Sequence, residues 1–255
     1  MKNIRYLFPN TLTIINLLCG CAAIITVFIG KNEYLAGWLI FLAALFDFLD
    51  GFVAKLLNSK SDFGVQLDSL ADIVSFGVAP SIILFKWIIL VLTKNSDQST
   101  FEITTTSFVQ DILLFTSMLF VIGAALRLAR FNVRDADKAE FHGLPTPAAA
   151  MIVASIWLLL DSTRSETIWP LILNIYVVLI LIIILFVLMI SSIPMLSLKF
   201  DGYGLRKNLM QYLLLFVGLI LILIFRVEGI LFTLSFYLLF SLVIALINSV
   251  QKQNT

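Results

Sequence analysis

The stretch Asp47–Asp72, DFLDGFVAKLLNSKSDFGVQLDSLAD, decides how this chain is built. It places four carboxylates, Asp47, Asp50, Asp68 and Asp72, on two apolar segments joined by a short polar link, Asn58-Ser59-Lys60-Ser61-Asp62. Asp47 and Asp50 are three residues apart and project from one face of a helix. Asp68 and Asp72 are four apart and share one face of the next. A short link makes the two helices antiparallel neighbours, so the two acidic faces are expected to meet.

Outward from this stretch the chain is very apolar. Of its 255 residues 60% are hydrophobic and only 13% are charged, with a mean hydropathy of +1.04. A soluble domain of this size could not hide so much apolar surface, so the class expected is an all-α, polytopic membrane helical bundle. Eight apolar stretches of about 18–28 residues cover approximately 8–30, 34–57, 66–93, 106–131, 144–161, 168–193, 209–226 and 229–249. Turn and charge signals separate them, among them Lys31-Asn32-Glu33 and Lys199 to Asn208. No internal repeat is evident. The reading is one integral-membrane domain over 1–255, with a catalytic core at about 8–195 and an additional C-terminal hairpin at about 208–250. The N-terminus lacks a short apolar run followed by a small-residue cleavage site, and is read as a retained first span. Met1 to Phe8, with Lys2, Arg5, Tyr6 and Phe8, reads equally as an interfacial segment or a charged tail. Cys19 and Cys21 are too close on one helix to bridge each other.

Basic residues set the orientation. With the N-terminus inside and eight spans, 12 of the 17 Lys and Arg fall on or near the inner side. These are Lys2, Arg5, Lys55, Lys60, Arg127, Arg130, Arg134, Lys138, Lys199, Arg206, Lys207 and Lys252. The five others are Lys31, Lys86, Lys94, Arg164 and Arg226. The expected topology is N-in and C-in, in the cytoplasmic membrane, with all four aspartates toward the cytoplasm. The formal net charge is +1, and no nucleic-acid partner is expected.

Acids inside apolar spans are costly, and a functional role is the default reading. Four carboxylates this close stay ionised only if cations neutralise them. All-oxygen ligation without His or Cys points to Mg²⁺, Mn²⁺ or Ca²⁺ rather than zinc. Two ions sharing carboxylates would suit phosphoryl-type transfer, clamping diphosphate oxygens and offsetting charge on the leaving group. Gly51 and Gly64 permit close approach of a ligand or another helix. Ala54 leaves room one turn beyond Asp50, and Lys55 adds a cation for a phosphate.

The pattern D-x2-D-G-x2-A-K-x8-G-x3-D-x3-D resembles the signature of the CDP-alcohol phosphatidyltransferase family. Lys55 stands where that family usually has Arg, which keeps the charge and loses the bidentate fork. Three further segments extend the resemblance over about residues 9–150: Pro9-Asn10 with Thr13 and Asn16, Leu126 to Asn132, and Phe141 to Ala149. The last two resemble the bacterial and archaeal phosphatidylserine synthase branch of the family.

The resemblance implies CDP-diacylglycerol as donor, L-serine as acceptor and CMP as a product, with membrane lipids around the site. It implies Asp47, Asp50, Asp68 and Asp72 as ligands of two divalent cations, Mg²⁺ or Mn²⁺, with Ca²⁺ a non-productive occupant. Asp72 would also be the general base. Gly51, Ala54, Lys55 and Gly64 would line the cytidine-diphosphate site. Family members are typically homodimers, and a dimer is expected. Arg127 and Arg130, three apart on one helix face, would attract the diphosphate or the serine carboxylate; positive-inside anchoring is the other reading, and the stronger one for Arg134. His142, the one histidine, reads as a loop residue more than a base. Pro145 and Pro147 suit the first turn of the fifth span. Ala71, Ser75 and Ala79 form a small-residue stripe for helix contact, within a protomer or across a dimer.

Other readings lead elsewhere. Another acceptor, such as glycerol phosphate, inositol phosphate or choline, would keep the family and change the product. A cation transporter would place its site near the midplane between repeated halves. Here the acids cluster toward one side and no repeat is visible.

Overall fold

The computed structural model describes residues 2–30, 32–59, 61–94, 108–133, 143–160, 169–193 and 209–253. The described residues form helices, turns and short connections. The long helices among the described residues are α1 (Lys2–Ile29), α2 (Leu35–Leu56), α3 (Asp62–Lys94), α4 (Phe108–Val133), α5 (Thr146–Leu159), α6 (Ile175–Ile190), α7 (Leu209–Phe225) and α8 (Val227–Gln253), and a single helical turn at Trp169–Ile172 precedes α6. Each coincides with one of the eight apolar stretches. Three of them, over Tyr6–Ile29, Asp62–Lys94 and Phe108–Val133, are long and apolar enough to cross a membrane.

The polarity of burial matches an apolar surrounding. Thr13, Asn16, Asp50, Asp72, Ser75, Ser81, Ser117, Thr146 and Ser155 are buried, while Phe8, Leu18, Phe28, Phe48, Phe52 and Tyr176 are exposed. The core is filled by Phe76, Trp87, Phe120 and Trp157. Both indoles are satisfied: Trp87 Nε1 donates to the Ile172 carbonyl (3.1 Å) and Trp157 Nε1 to that of Glu33 (3.0 Å). Glu33 also pairs with Lys86 at 3.0 Å, tying the α1–α2 connection to α3.

Local chemistry explains the α2–α3 turn that the acidic pairs depend on. α2 ends where Asn58 adopts a left-handed φ of 47°, and Ser59 N–H closes back on the Ala54 carbonyl at 3.0 Å. Two residues later Ser61 caps α3, its hydroxyl accepting from Gly64 N–H at 3.0 Å. This cap starts α3 at Asp62, earlier than the apolar pattern alone suggested. Asp50 lies six residues before the end of α2, and Asp68 six residues after the start of α3. The acids are therefore at matched depth.

Two irregularities interrupt the long helices. Ile73–Val78 winds as a π-helix directly after Asp72. At Thr116-Ser117 α4 breaks, and the Ser117 carbonyl is taken up by the Ser81 hydroxyl of α3 at 2.9 Å. At the N-terminus α1 continues through Pro9, so Tyr6, Leu7 and Phe8 extend the same helix with exposed side chains. Pro145 precedes α5 as its cap, and Pro147 lies in the first turn.

α1 packs along α2 and the first half of α3, α5 packs against α2 and α3, and α6 against α4. α7 and α8 pack on each other, and α8 rests on α5. Small residues make the close approaches. A Cβ added at Gly20 would lie 2.7 Å from Ser75 Cα, and one at Gly37 would lie 2.8 Å from Leu158 Cγ. Ala71, Ser75 and Ala79 are buried within the protomer, and the Ser75 hydroxyl donates to the Asn16 carbonyl at 3.0 Å. That stripe is used inside the chain, so a dimer seam cannot run along it. Cys19 and Cys21 are both free.

Candidate active site

The α2–α3 turn brings the four acids together. One oxygen each from Asp47, Asp50 and Asp68 lies within 4.8 Å of the others. Asp72, one turn beyond Asp68, stands against Asp47 and is an electrostatic neighbour of Asp47, Asp68 and Asp50. Asp50 and Asp72 are buried. Such a group of like charges calls for a compensating cation. Its donor set is all carboxylate oxygen, which suits a hard divalent ion. Asp68 Oδ1 is buried with no hydrogen-bond partner among the described residues, a costly state for an oxygen unless something else meets it. The residues fit a metal site.

α1 supplies the third wall. The Thr13 hydroxyl donates to Asp50 Oδ2 at 2.7 Å, and Asn16 Nδ2 donates to Asp72 Oδ1 at 3.3 Å. Three residues apart, Thr13 and Asn16 share one face of α1, and each fixes one acid from a different helix. Asn16 is fully buried, and its Oδ1 has no partner among the described residues. The Ser75 bond to the Asn16 carbonyl ties the π-helical turn to the same point. π-helical turns often mark functional sites. Nothing in the sequence alone assigns Thr13 and Asn16 a role at the acids. Their signal was the polar spacing within an apolar helix.

The two motif glycines serve different ends. A Cβ added at Gly51 would meet no heavy atom within 4 Å, so no helix contact requires glycine there. One added at Gly64 would come within 3.1 Å of Ser61 Oγ and 3.2 Å of Asn10 Oδ1. Gly64 therefore lets α3 close on its own cap and on α1. Ala54 is half-buried and Lys55 is exposed.

Arg127 and Arg130 divide along α4. Arg127 is half-buried, and its electrostatic neighbours are Asp72 and Tyr237. Its Nη1 donates to Thr146 Oγ1 at 3.4 Å, while Nε is buried without a partner among the described residues. Arg130 is exposed and donates to the Ile190 carbonyl at 2.7 Å, closing the C-terminal end of α6 as a cation favourably does. Asn132 and Ser69 join α4 to α3, with Asn132 Nδ2 donating to Ser69 Oγ at 2.9 Å. Lys60, Arg134 and His142 lie outside the described residues.

Comparison with known proteins bears on this arrangement. The profile of the family described as CDP-alcohol phosphatidyltransferase matches residues 6–190. The CDP-diacylglycerol–serine O-phosphatidyltransferase of Helicobacter pylori (strain ATCC 700392 / 26695) is 31% identical over 250 residues, 94% of this chain and 92% of the relative. The protein of the same name from Methanocaldococcus jannaschii is 34% identical over 150 residues, 59% of this chain and 60% of the relative. The archaetidylserine synthase of Methanothermobacter thermautotrophicus is 33% identical over 152 residues, 59% of this chain and 57% of the relative.

Proposed function

This chain belongs to the CDP-alcohol phosphatidyltransferase family, and from that premise we propose that it transfers the phosphatidyl group of CDP-diacylglycerol to L-serine, giving phosphatidylserine and CMP. The observation that carries the reading is the meeting of the four motif acids at the α2–α3 turn. The names of the relatives, which align over most of the chain in the Helicobacter case, support the acceptor.

In this reading Asp47, Asp50, Asp68 and Asp72 hold two divalent cations, Mg²⁺ or Mn²⁺. When bound, such ions neutralise the diphosphate and stabilise CMP as it departs. Gly51, Ala54 and Lys55 receive the cytidine diphosphate, with Gly64 shaping the wall behind them. At Gly51 the backbone can be approached closely, and Lys55 provides a mobile positive charge for a phosphate oxygen.

Asp72 is the general base. It takes the proton of the serine hydroxyl as that oxygen attacks the β-phosphorus. The new bond joins the serine oxygen to phosphorus, and the bond from that phosphorus to the bridging oxygen breaks, releasing CMP. Asn16 donates to one oxygen of Asp72 and so fixes the carboxylate plane in which the proton is taken up. Arg127, close to Asp72, receives the serine carboxylate and so presents the hydroxyl to the base. Arg130 secures the adjoining helix end.

The protein works as a homodimer in the cytoplasmic membrane, with eight spans, both termini inside and the site open to the cytoplasm. The acyl chains stay in lipid, and serine and CMP exchange with water. A helical bundle allows such a lateral opening because its backbone hydrogen bonds stay within each helix. The test is CMP release by the purified full-length protein in nanodiscs, with CDP-diacylglycerol, Mn²⁺ or Mg²⁺, and serine or a panel of other alcohols. Serine-dependent CMP release that requires the metal is expected. Release with another alcohol alone would overturn the acceptor, and no release with any would overturn the transferase reading.

A further inference from the structure

Asn16 is fully buried on α1, and two contacts fix it. The Ser75 hydroxyl donates to its backbone carbonyl at 3.0 Å, and its own Nδ2 donates to Asp72 Oδ1 at 3.3 Å. α1 lies tight against the π-helical turn here, since a Cβ at Gly20, one turn further along, would stand 2.7 Å from Ser75 Cα. Backbone and amide nitrogen are both held, which leaves the side chain little freedom. A carboxylate only accepts, so the amide turns its NH₂ to Asp72. Its oxygen is left over, buried and without a partner among the described residues. Such an oxygen is costly to bury unless a donor or a cation meets it.

A second oxygen flanking Asp72 is in the same state. Asp68 Oδ1 is buried without a partner among the described residues, and Asp68 lies one turn before Asp72 on the same face of α3. Thr13 shows the contrast, because it meets Asp50 with a hydroxyl that has only to donate. An amide at position 16 does as much for Asp72 and brings an oxygen besides. Two orphan acceptors beside one carboxylate, one neutral and one acidic, call for a cation. Charge balance favours a neutral group as the additional ligand. Four carboxylates already match two divalent ions, and a fifth acid would leave an uncompensated buried charge. Amide oxygens are ordinary ligands of hard divalent cations.

We propose that Asn16 is a metal ligand: its Oδ1 coordinates the divalent cation held by Asp68 and Asp72, while its Nδ2 keeps Asp72 in place. The proposal rests on the reading of the four acids as a two-cation site. The first span then belongs to the metal centre itself. The test uses the full-length protein in nanodiscs with Mn²⁺ alone as the probe. Binding is read by calorimetry, and ligation by pulsed electron–nuclear double resonance on protein whose asparagines carry ¹³C at the side-chain amide carbon. The Mn²⁺-loaded wild type is expected to show the strong ¹³C hyperfine coupling of a ligating amide, and Asn16→Asp, which lacks that label, to lose it. In calorimetry Asn16→Leu, which has a similar volume and no oxygen, should weaken Mn²⁺ binding by more than about tenfold, while Asn16→Asp, which keeps an oxygen and gives up the donor to Asp72, should stay within about threefold of the wild type. A loss in Asn16→Asp as large as in Asn16→Leu would show that Asn16 acts only by holding Asp72, and would overturn the proposal. Mn²⁺ bound to the wild type without the coupling would overturn it as well, and this result decides even if Asn16→Leu fails to fold. A wild type that binds no Mn²⁺ would bring down the two-cation reading itself, and the proposal with it.

Discussion

Asp50 and Asp72 each receive one hydrogen bond from α1, from Thr13 and Asn16 respectively, and the proposed chemistry makes unequal demands on the two. An acid that only neutralises a cation tolerates some freedom. A base must hold its lone pair along one line of approach. Asp72→Asn keeps the size and removes the proton acceptor, so serine-dependent CMP release should fall by about 10³-fold. Retained CMP release would remove Asp72 from the base role. Asn16→Ala leaves Asp72 ionisable but unfixed, and should lower kcat about tenfold, the equivalent of about 1.4 kcal/mol, with a smaller change in serine KM. A kcat equal to that of the wild type would show that the bond does not orient the base. Both substitutions are read in the same assay.

At the scale of elements, much of the architecture was legible. The apolar stretches marked every helix among the described residues, and the two acidic pairs marked the faces of α2 and α3 that meet. What could not be read depends on contacts between elements. The π-helical turn at Ile73–Val78 carries the Ser75 hydroxyl that bonds the Asn16 carbonyl of a different helix, a pairing that no local pattern announces. The break at Thr116-Ser117 likewise relies on Ser81 of α3 to take up a carbonyl. Arg127 and Arg130 read as one basic face, yet Thr146 and the end of α6 draw them to separate partners. Glycines show the same limit, since sequence could not say which serve packing and which leave room. The structure separates them, and the separation is testable. Gly51→Leu meets nothing within 4 Å of its Cβ, so the thermal midpoint should hold while CDP affinity falls by more than about tenfold. Gly20→Leu would drive a side chain into the backbone of Ser75, 2.7 Å from its Cα, and should abolish the folded protein. Unchanged CDP affinity in Gly51→Leu would detach that position from the donor site.

For the whole molecule, the decisive contrast is between its interior and its surface. Hydroxyls, an amide and carboxylates lie inside, and large apolar side chains such as Leu18, Phe28, Phe48 and Tyr176 lie outside. In water the exposed apolar side chains would be unfavourable; in lipid they cost nothing, and Thr13, Asn16, Ser75 and Ser81 bond neighbouring helices across the interior. The α1–α2 connection at Asn32–Tyr34 and the start of the α2–α3 connection at Leu57–Ser59 are at opposite ends of α2, so a membrane crossed by α2 must separate them. Lys55 and Lys60 then favour the inner side for the second connection, the end near which the acids lie. Asn58→Cys and Asn32→Cys, each in a background with Cys19 and Cys21 replaced by Ala, report the two ends directly. A membrane-impermeant maleimide applied to intact cells should label Asn32→Cys and spare Asn58→Cys, and inverted vesicles should reverse the pattern. The opposite labelling would turn the molecule over and put the acids on the outer side. Labelling of both positions from one side would mean that α2 does not cross, and the acid pairs would have to be reached by a different threading of the chain.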